Sequence, residues 1–362
     1  MSVASLSPMA QQHGRSMAMP AYLEGEGPLL DVRSPGEFSQ GHIPGAINLP
    51  LFSDEERAAV GTAYKQQSRQ TAVLLGLAII GPRLEQLAQA LISHSRGSGR
   101  LRLYCWRGGM RSASMAWLAG TVDLDCQLLA GGYKAYRRWV LSQFEQPWPL
   151  IVLGGRTGGG KTDLLLALQA RGVAVLDLEG LAHHRGSSFG GLGLPAQPSS
   201  EHFENRIADT LWRCPDSGPI WLEAESAQVG RCRLPAALWQ QMQQATVVEL
   251  QRPTRERVQR LVAVYGAQPR EELRSATERI ARRLGPQRTA LALAAIETGD
   301  MATACEQMLD YYDRCYDHEL AQRPRSPQLR LNGDGYSEAE LADQLCQWQR
   351  TLSAEPSAVS LA

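Results

Sequence analysis

Two short loops in this chain carry residue types that do chemistry on anions. The first, Cys105-Trp106-Arg107-Gly108-Gly109-Met110-Arg111, sets a thiol among glycines and arginines and is followed by Ser112. The second, Gly155-Arg156-Thr157-Gly158-Gly159-Gly160-Lys161-Thr162, satisfies the phosphate-binding pattern G-x-x-x-x-G-K-[ST] at every fixed position. A thiolate is the reactive form of cysteine, and loop amides, a helix N-terminus and nearby guanidinium groups all favour it. In the second loop the glycines let consecutive N–H groups face one anion. Lys161 then reaches the terminal phosphates, and the Thr162 hydroxyl is placed for Mg²⁺. A sulfur nucleophile and a phosphate grip on one polypeptide point to group transfer with a phosphorylated substrate.

Both loops are flanked by the elements needed to hold them. Residues 101–104 alternate as a strand into Cys105, and residues 112–119 read as a helix. The apolar run 150–153 enters the second loop, and helical periodicity follows over 161–169. Earlier, Leu29-Leu30-Asp31-Val32-Arg33 is a short strand entering a turn at Ser34-Pro35-Gly36, and residues 44–50 give a second strand between breakers. Gly131-Gly132-Tyr133 is a glycine turn before a helix reaching about residue 144. Further strands are expected at 173–177, 220–223 and 245–250, and helices at 255–264, 270–284, 289–298 and 301–319.

The fold class that follows is α/β. Residues 19–144 form an N-terminal domain with the cysteine loop, and 145–149, with two prolines, form a linker. Residues 150–252 form a parallel α/β domain of the phosphate-loop NTPase type, and 253–350 its C-terminal helical part. Residues 1–18 and 351–362 are small-residue-rich and read as disordered.

Composition narrows the rest. The 362 residues carry 37 basic and 37 acidic side chains, so no global field advertises nucleic acid. A local excess exists: residues 249–288 hold ten arginines against five acids. Arg255, Arg257, Arg282 and Arg283 are the candidate contacts for a polyanion within it, with a solvated helix face as the alternative. Seven cysteines show no C-x-x-C pair and no zinc spacing, so no structural metal is expected, and Cys126 is read as a strand residue. No signal peptide is recognisable, which with the odd cysteine count points to a reducing cytoplasm. The longest apolar stretch, 71–80, reads as a buried helix and is too short for a membrane span.

Several residues near the second loop remain open. Glu223 or Glu225, at the end of an apolar strand, could contact Mg²⁺ through water or could be a surface carboxylate; Asp177 and Glu179 have the same two readings. Arg185, in His183-His184-Arg185, grips phosphate or is a solvated loop residue. Tyr311, Tyr312 and Tyr316 serve helix packing or base stacking.

The first half resembles the rhodanese family through Asp31-Val32-Arg33, Gly41-His42-Ile43-Pro44-Gly45-Ala46 and Gly131-Gly132-Tyr133. Simple sulfurtransferases of that fold have a six-residue loop, whereas Cys105 to Arg111 spans seven residues. This matches related phosphatases whose loop accommodates a tetrahedral oxyanion. The whole of residues 25–345 resembles the tRNA 2-selenouridine synthase family. The resemblance rests on residues 104–112, 154–162 and 177–187, and on an insertion foreign to simple rhodaneses at Glu56-Arg57, Val60-Gly61-Thr62-Ala63-Tyr64 and Leu75-Gly76.

The family resemblance implies an activity. The wobble 2-thiouridine of tRNA is geranylated on sulfur by geranyl diphosphate, and the geranylthio group is then replaced by selenium from selenophosphate. Cys105 is implied as the catalytic residue, carrying selenium as a persulfide-like intermediate, within the oxyanion loop 105–111. Selenophosphate and geranyl diphosphate are the implied co-substrates, with Mg²⁺ on Thr162, Asp177 or Glu223. Expected partners are tRNA and a selenophosphate-supplying enzyme, with no membrane and a monomeric chain. Two other classes are a cysteine-dependent phosphatase or arsenate reductase fused to a small-molecule kinase, and a rhodanese-like regulatory module on an NTPase.

Overall fold

Short apolar runs buried on both faces form parallel strands, and both halves of the chain are built this way. The computed structural model describes residues 14–214, 218–324 and 326–354. It divides into two units: residues up to Gln143 together with Glu204–Asp209, and Phe144–Phe203 together with the chain from Thr210 onward.

The first unit is a five-stranded parallel sheet of β1 (Arg15–Met17), β2 (Leu29–Asp31), β3 (Ile47–Asn48), β4 (Arg100–Tyr104) and β5 (Asp125–Leu129), ordered β1-β5-β4-β2-β3. Leu30, Leu101, Leu103 and Leu128 from its centre join Leu91 and Ala116 from flanking helices in one core. The expectation of disorder through residue 18 fails at β1, which pairs with residues 127–129 of β5. Met17 O also accepts from Ala130 N at 2.8 Å. The free edge of β5 supplies those backbone partners, whatever the local propensity. Residues 1–13 lie outside the described part.

The expected buried helix at 71–80 is also corrected. Helix Arg69–Ile80 buries Ala72, Gly76 and Ile80, spaced four apart on one face, while Leu74 and Leu77 are more than half exposed. The helical path Arg69–Ser95 is by length and composition apolar enough to cross a bilayer. The 3-10 turn Gly81–Arg83 breaks it, and its second half, Leu84–Ser95, buries Leu87 and Leu91 in the core.

Beneath the cysteine loop, one buried side chain joins the motifs read from the sequence. Arg33 and Asp31 form an ion pair with both side chains 0% exposed, Nη2 to Oδ2 2.6 Å. Arg33 Nη2 also donates to Gly41 O at 2.7 Å, and the guanidinium carbon lies 3.7 Å from the ring centre of Tyr133. Asn48 Nδ2 closes the turn by donating to Asp31 O and Arg33 O, at 2.9 and 3.0 Å.

The second unit is a parallel sheet of β6 (Leu150–Gly155), β7 (Val175–Leu176), β8 (Ile220–Glu223), β11 (Thr246–Gln251) and β12 (Leu329–Asn332), ordered β12-β11-β6-β8-β7. A separate antiparallel pair joins β9 (Gln228–Val229) to β10 (Cys232–Arg233). The phosphate-loop strand β6, buried throughout, is central. Helices Lys161–Gln169 and Glu338–Ala354 cover the sheet through Leu164, Leu168, Leu341 and Leu345. Thr254–Tyr265, Arg270–Leu284, Pro286–Thr298 and Met301–Ala321 form the helical part, with a core containing Leu273, Ile280, Ile296 and Met308. Two sequence boundaries shift here. Residues 253–350 are not all helical, because β12 adds an edge strand beside β11. The last helix runs to Ala354, past the expected tail start at 351; residues 355–362 lie outside the described part.

Removing one partner of a buried ion pair leaves an uncompensated charge, at about 3–5 kcal/mol. Asp31→Ala is therefore expected to cost the first unit that amount. Hydrogen exchange at the amides of β2 and β4 is the check, and unchanged protection would refute the role of this pair.

Candidate active sites

Cys105 leaves β4 at a point where three backbone segments meet. The residue is 3% exposed, and its sulfur accepts from Gly109 N at 3.3 Å and lies 3.2 Å from Ser112 Oγ. Helix Met110–Gly120 starts at the loop, so its N-terminal dipole end adjoins the sulfur. The glycine turn supports the loop from behind: Tyr133 N donates to Cys105 O at 2.8 Å and Lys134 N to Trp106 O at 3.0 Å. Gly132 has φ +60°, and a Cβ there would stand 2.3 Å from Cys105 O, so no other residue fits. Asn205 Nδ2 donates to Tyr133 OH at 2.8 Å and to His42 O at 2.9 Å, tying the turn to the Gly41–Ala46 motif. Sequence reading missed Asn205, which no local pattern links to residues 42 and 133.

The loop arginines divide. Arg107 is exposed, as are Trp106 and Met110 at the rim. Arg111 is held by Glu37, with Nη1 donating to Oε2 at 2.6 Å and Nη2 to Oε1 at 3.3 Å. Burial works to raise the Glu37 carboxyl, yet Arg111, the Ser34 N–H and Arg57 together hold it below its usual range. Of the two positive charges that the sequence assigned to the cysteine loop, that of Arg111 is thus matched by a carboxylate from the helix after the Ser34 turn. Elsewhere burial pushes the Cys126 thiol up to about 12, as expected of a structural cysteine.

The phosphate loop is braced in the same way. Lys161 Nζ donates to Gly155 O at 3.0 Å, and Thr162 Oγ1 donates to Glu179 Oε2 at 2.8 Å. Gly158 has φ +77°, with the Arg257 carbonyl 2.9 Å from where its Cβ would be. Arg257 Nε donates to Thr157 O at 3.1 Å while its other nitrogens bind Asp313 at 2.9 and 2.8 Å. Arg252 Nε donates to Gly159 O at 3.0 Å. Arg257 is therefore withdrawn as a tRNA contact: its side chain is 2% exposed and committed to the loop. Of the other candidates, Arg255, Arg282 and Arg283 are exposed, and Arg283 Nη1 donates to Tyr311 OH at 3.5 Å.

The acidic candidates also separate. Asp177 caps helix Leu178–Ala182, its Oδ1 accepting from Gly180 N at 2.7 Å. Glu223 is fully buried, which ends its reading as a surface carboxylate. Its Oε2 accepts from Leu178 N at 2.9 Å, and Oε1 has no partner among the described residues. Burial, then Asp177 and Glu179, push its carboxyl well up. Burial, with Glu179 beside it, likewise raises Glu225. Among the four acids Glu179 is the one hydrogen-bonded to Thr162, so the direct carboxylate partner of the loop hydroxyl is neither Asp177 nor Glu223. Among the described residues no group of three or more His, Cys, Asp or Glu is arranged to hold a metal ion.

The loop opens into a cleft of about 690 Å³ that Glu179, Arg185, Glu225, Tyr311, Tyr312 and Tyr316 also line. The tyrosine cluster therefore faces the phosphate site. Arg185 lies 5.8 Å from the ring centre of Tyr265, and its Nη1 donates to Leu192 O at 3.1 Å.

A buried thiol cradle on one parallel sheet and a phosphate loop on another define a rhodanese-like domain joined to a phosphate-loop domain. Comparison with known proteins agrees: the profile of the rhodanese-like domain matches residues 18–138, and that of the tRNA 2-selenouridine synthase AAA domain matches 148–344. The tRNA 2-selenouridine synthase of Marinobacter nauticus is 36% identical over 336 residues, 82% of this chain and 89% of that protein. Those of Bordetella bronchiseptica and a Sulfurovum species are each 36% identical, over 86% and 81% of this chain and 92% and 88% of their own lengths. The chain belongs to the tRNA 2-selenouridine synthase family.

The buried Glu223 makes a pH signature. Its folded-state pKa is raised above the ordinary 4.5, so the unfolded chain loses the proton first. Ionisation then favours unfolding, and stability falls as pH rises above 4.5 until the folded carboxyl itself ionises. Glu223→Gln keeps the acceptor for Leu178 N and removes this dependence. The melting-temperature advantage of the variant should widen from about pH 5 to about pH 7; a constant difference would contradict the burial argument.

Proposed function

We propose that this chain makes 2-selenouridine at the wobble position of tRNA in two chemical steps, one at each loop. The observation that carries the reading is the Cys105 sulfur, already held by the Gly109 N–H and the Ser112 hydroxyl inside a seven-residue anion loop. The shared name of the relatives supports tRNA as the substrate. In the first step the 2-thiouridine sulfur attacks C1 of geranyl diphosphate, the C1–O bond breaks and pyrophosphate departs, with loss of the N3 proton. This turns a poor leaving group into a thioether. In the second step the selenium of selenophosphate, held at the Cys105 loop, bonds to C2 and the geranylthio group leaves as the thiol; water then cleaves the Se–P bond and phosphate departs.

The Lys161 loop takes the diphosphate, where the lysine charge and loop amides stabilise the departing pyrophosphate. The donor set suits Mg²⁺, which is bound by one or two carboxylates plus substrate phosphates: Thr162 and Glu179 would hold it, and it would neutralise phosphate charge. Arg255, Arg282 and Arg283 are the proposed tRNA contacts. The reaction is placed in the cytoplasm, supplied by a selenophosphate-producing enzyme.

Cys105→Ser should abolish selenium incorporation while geranylated tRNA still forms. Lys161→Ala should block geranylation yet convert pre-geranylated tRNA when selenophosphate is added. Nucleoside mass spectrometry reads both outcomes, and normal 2-selenouridine from a folded Cys105→Ser protein refutes the assignment. For the arginine surface, the double change Arg282→Ala and Arg283→Ala should lower the log–log salt slope of tRNA binding by about 1.8, roughly 0.9 for each phosphate that is no longer neutralised. An unchanged slope removes these residues from the interface.

A further inference from the structure

A second cavity adjoins the phosphate cleft, and its walls have the opposite character. It is partly open, holds about 40 Å³ and is lined by Leu261, Leu273, Ile296, Ala304, Met308 and Leu309, so each of the four C-terminal helices contributes an apolar wall. Thr157, Ser187, Leu261, Tyr265 and Tyr312 line both this cavity and the cleft, so the two adjoin at the edge of the phosphate loop. The polar groups at that mouth are engaged locally: Tyr312 OH accepts from Ser188 N at 3.3 Å, and Phe189 N donates to Ser187 Oγ at 3.2 Å. The one thiol in the wall, Cys305, is pushed up to about 11 by burial and stays neutral.

A nucleotide on the phosphate loop brings a ribose and a base whose polar edges need hydrogen-bond partners, and leaving them unmet in a dry site is costly. A hydrocarbon needs none, and gains about fourfold in affinity per methylene removed from water. By the measure in which 10–15 Å³ holds one water, the volume of about 40 Å³ admits roughly three heavy atoms, the size of a branched alkyl end. The rest of a longer chain would lie across the shared mouth and in the cleft.

We propose that this cavity is the tail subsite of the phosphate loop, taking the branched apolar end of an isoprenoid diphosphate whose headgroup lies at Lys161. The inference rests on the reading of the Lys161 loop as a diphosphate-substrate site, and adds which residues select the hydrocarbon. Selection then favours isoprenoid diphosphates over nucleotides of equal phosphate charge.

Calorimetric titration of the full chain with Mg²⁺ tests it, using inorganic pyrophosphate, geranyl diphosphate, 8-hydroxygeranyl diphosphate and ATP as probes. Geranyl diphosphate should bind at least about tenfold more tightly than pyrophosphate. Ala304→Phe, which fills the cavity, should erase that margin and leave pyrophosphate affinity unchanged. The hydroxylated probe needs no variant: its buried hydroxyl should weaken binding about tenfold relative to geranyl diphosphate. Equal affinity for the two geranyl probes, or an unaltered margin in an Ala304→Phe protein that still binds pyrophosphate, overturns the tail subsite alone. If the unmodified protein binds geranyl diphosphate no better than pyrophosphate, or binds only ATP, the reading of the Lys161 loop falls with it.

Discussion

Amide hydrogens that converge on an anion impose one constraint on both units. A chain leaving a buried parallel strand has its N–H groups directed alternately to either side. To aim several at one point it must turn through backbone conformations that disfavour a Cβ, and then enter a helix. Gly132 and Gly158 show how tightly this binds: a Cβ on either would press into a carbonyl oxygen, that of Cys105 or of Arg257. The sheets, the helix starts and the closeness of supporting segments follow from keeping those turns in place.

Each unit holds a buried arginine near its loop. Arg33 pairs with Asp31 and donates to Gly41 O; Arg257 pairs with Asp313 and donates to Thr157 O. A fixed guanidinium fork satisfies a carboxylate and a carbonyl together, which suits it to hold irregular backbone where lysine would not. Such pairs add little net stability, because desolvation offsets much of the Coulomb attraction. What they fix is geometry: Arg257 occupies a carbonyl of the phosphate loop, and Arg33 ties the turn after β2 to Gly41.

The parts of this arrangement that depend on neighbours in sequence were legible without a structure. Strand–loop–helix around Cys105 and Gly155, and the Gly131-Gly132-Tyr133 turn, are written in apolar runs and glycines. The parts set by distant chain were not. Asn205 reaches Tyr133 and His42 across more than sixty residues. The arginine run looked like an external face because charge alone does not reveal burial, and Arg257 lies inside it. Glu223 ends an apolar strand, the expected place for a metal-facing acid, but Glu179 is bonded to Thr162. Likewise, the apolar run at 71–80 says how hydrophobic a helix is, and not how many of its sides find cover.

The Glu37–Arg111 pair has a consequence for what the cysteine loop admits. Cells hold phosphate and sulfate in abundance, and an open arginine beside ring-forming amides would trap them. With Arg111 already satisfied by a carboxylate, any newcomer must displace an internal competitor that is always present at high effective concentration. Ordinary oxyanions gain little from that exchange, because they swap one oxygen contact for another. The pair thus presents an arriving anion with the loop amides and an Arg111 guanidinium already matched by a carboxylate.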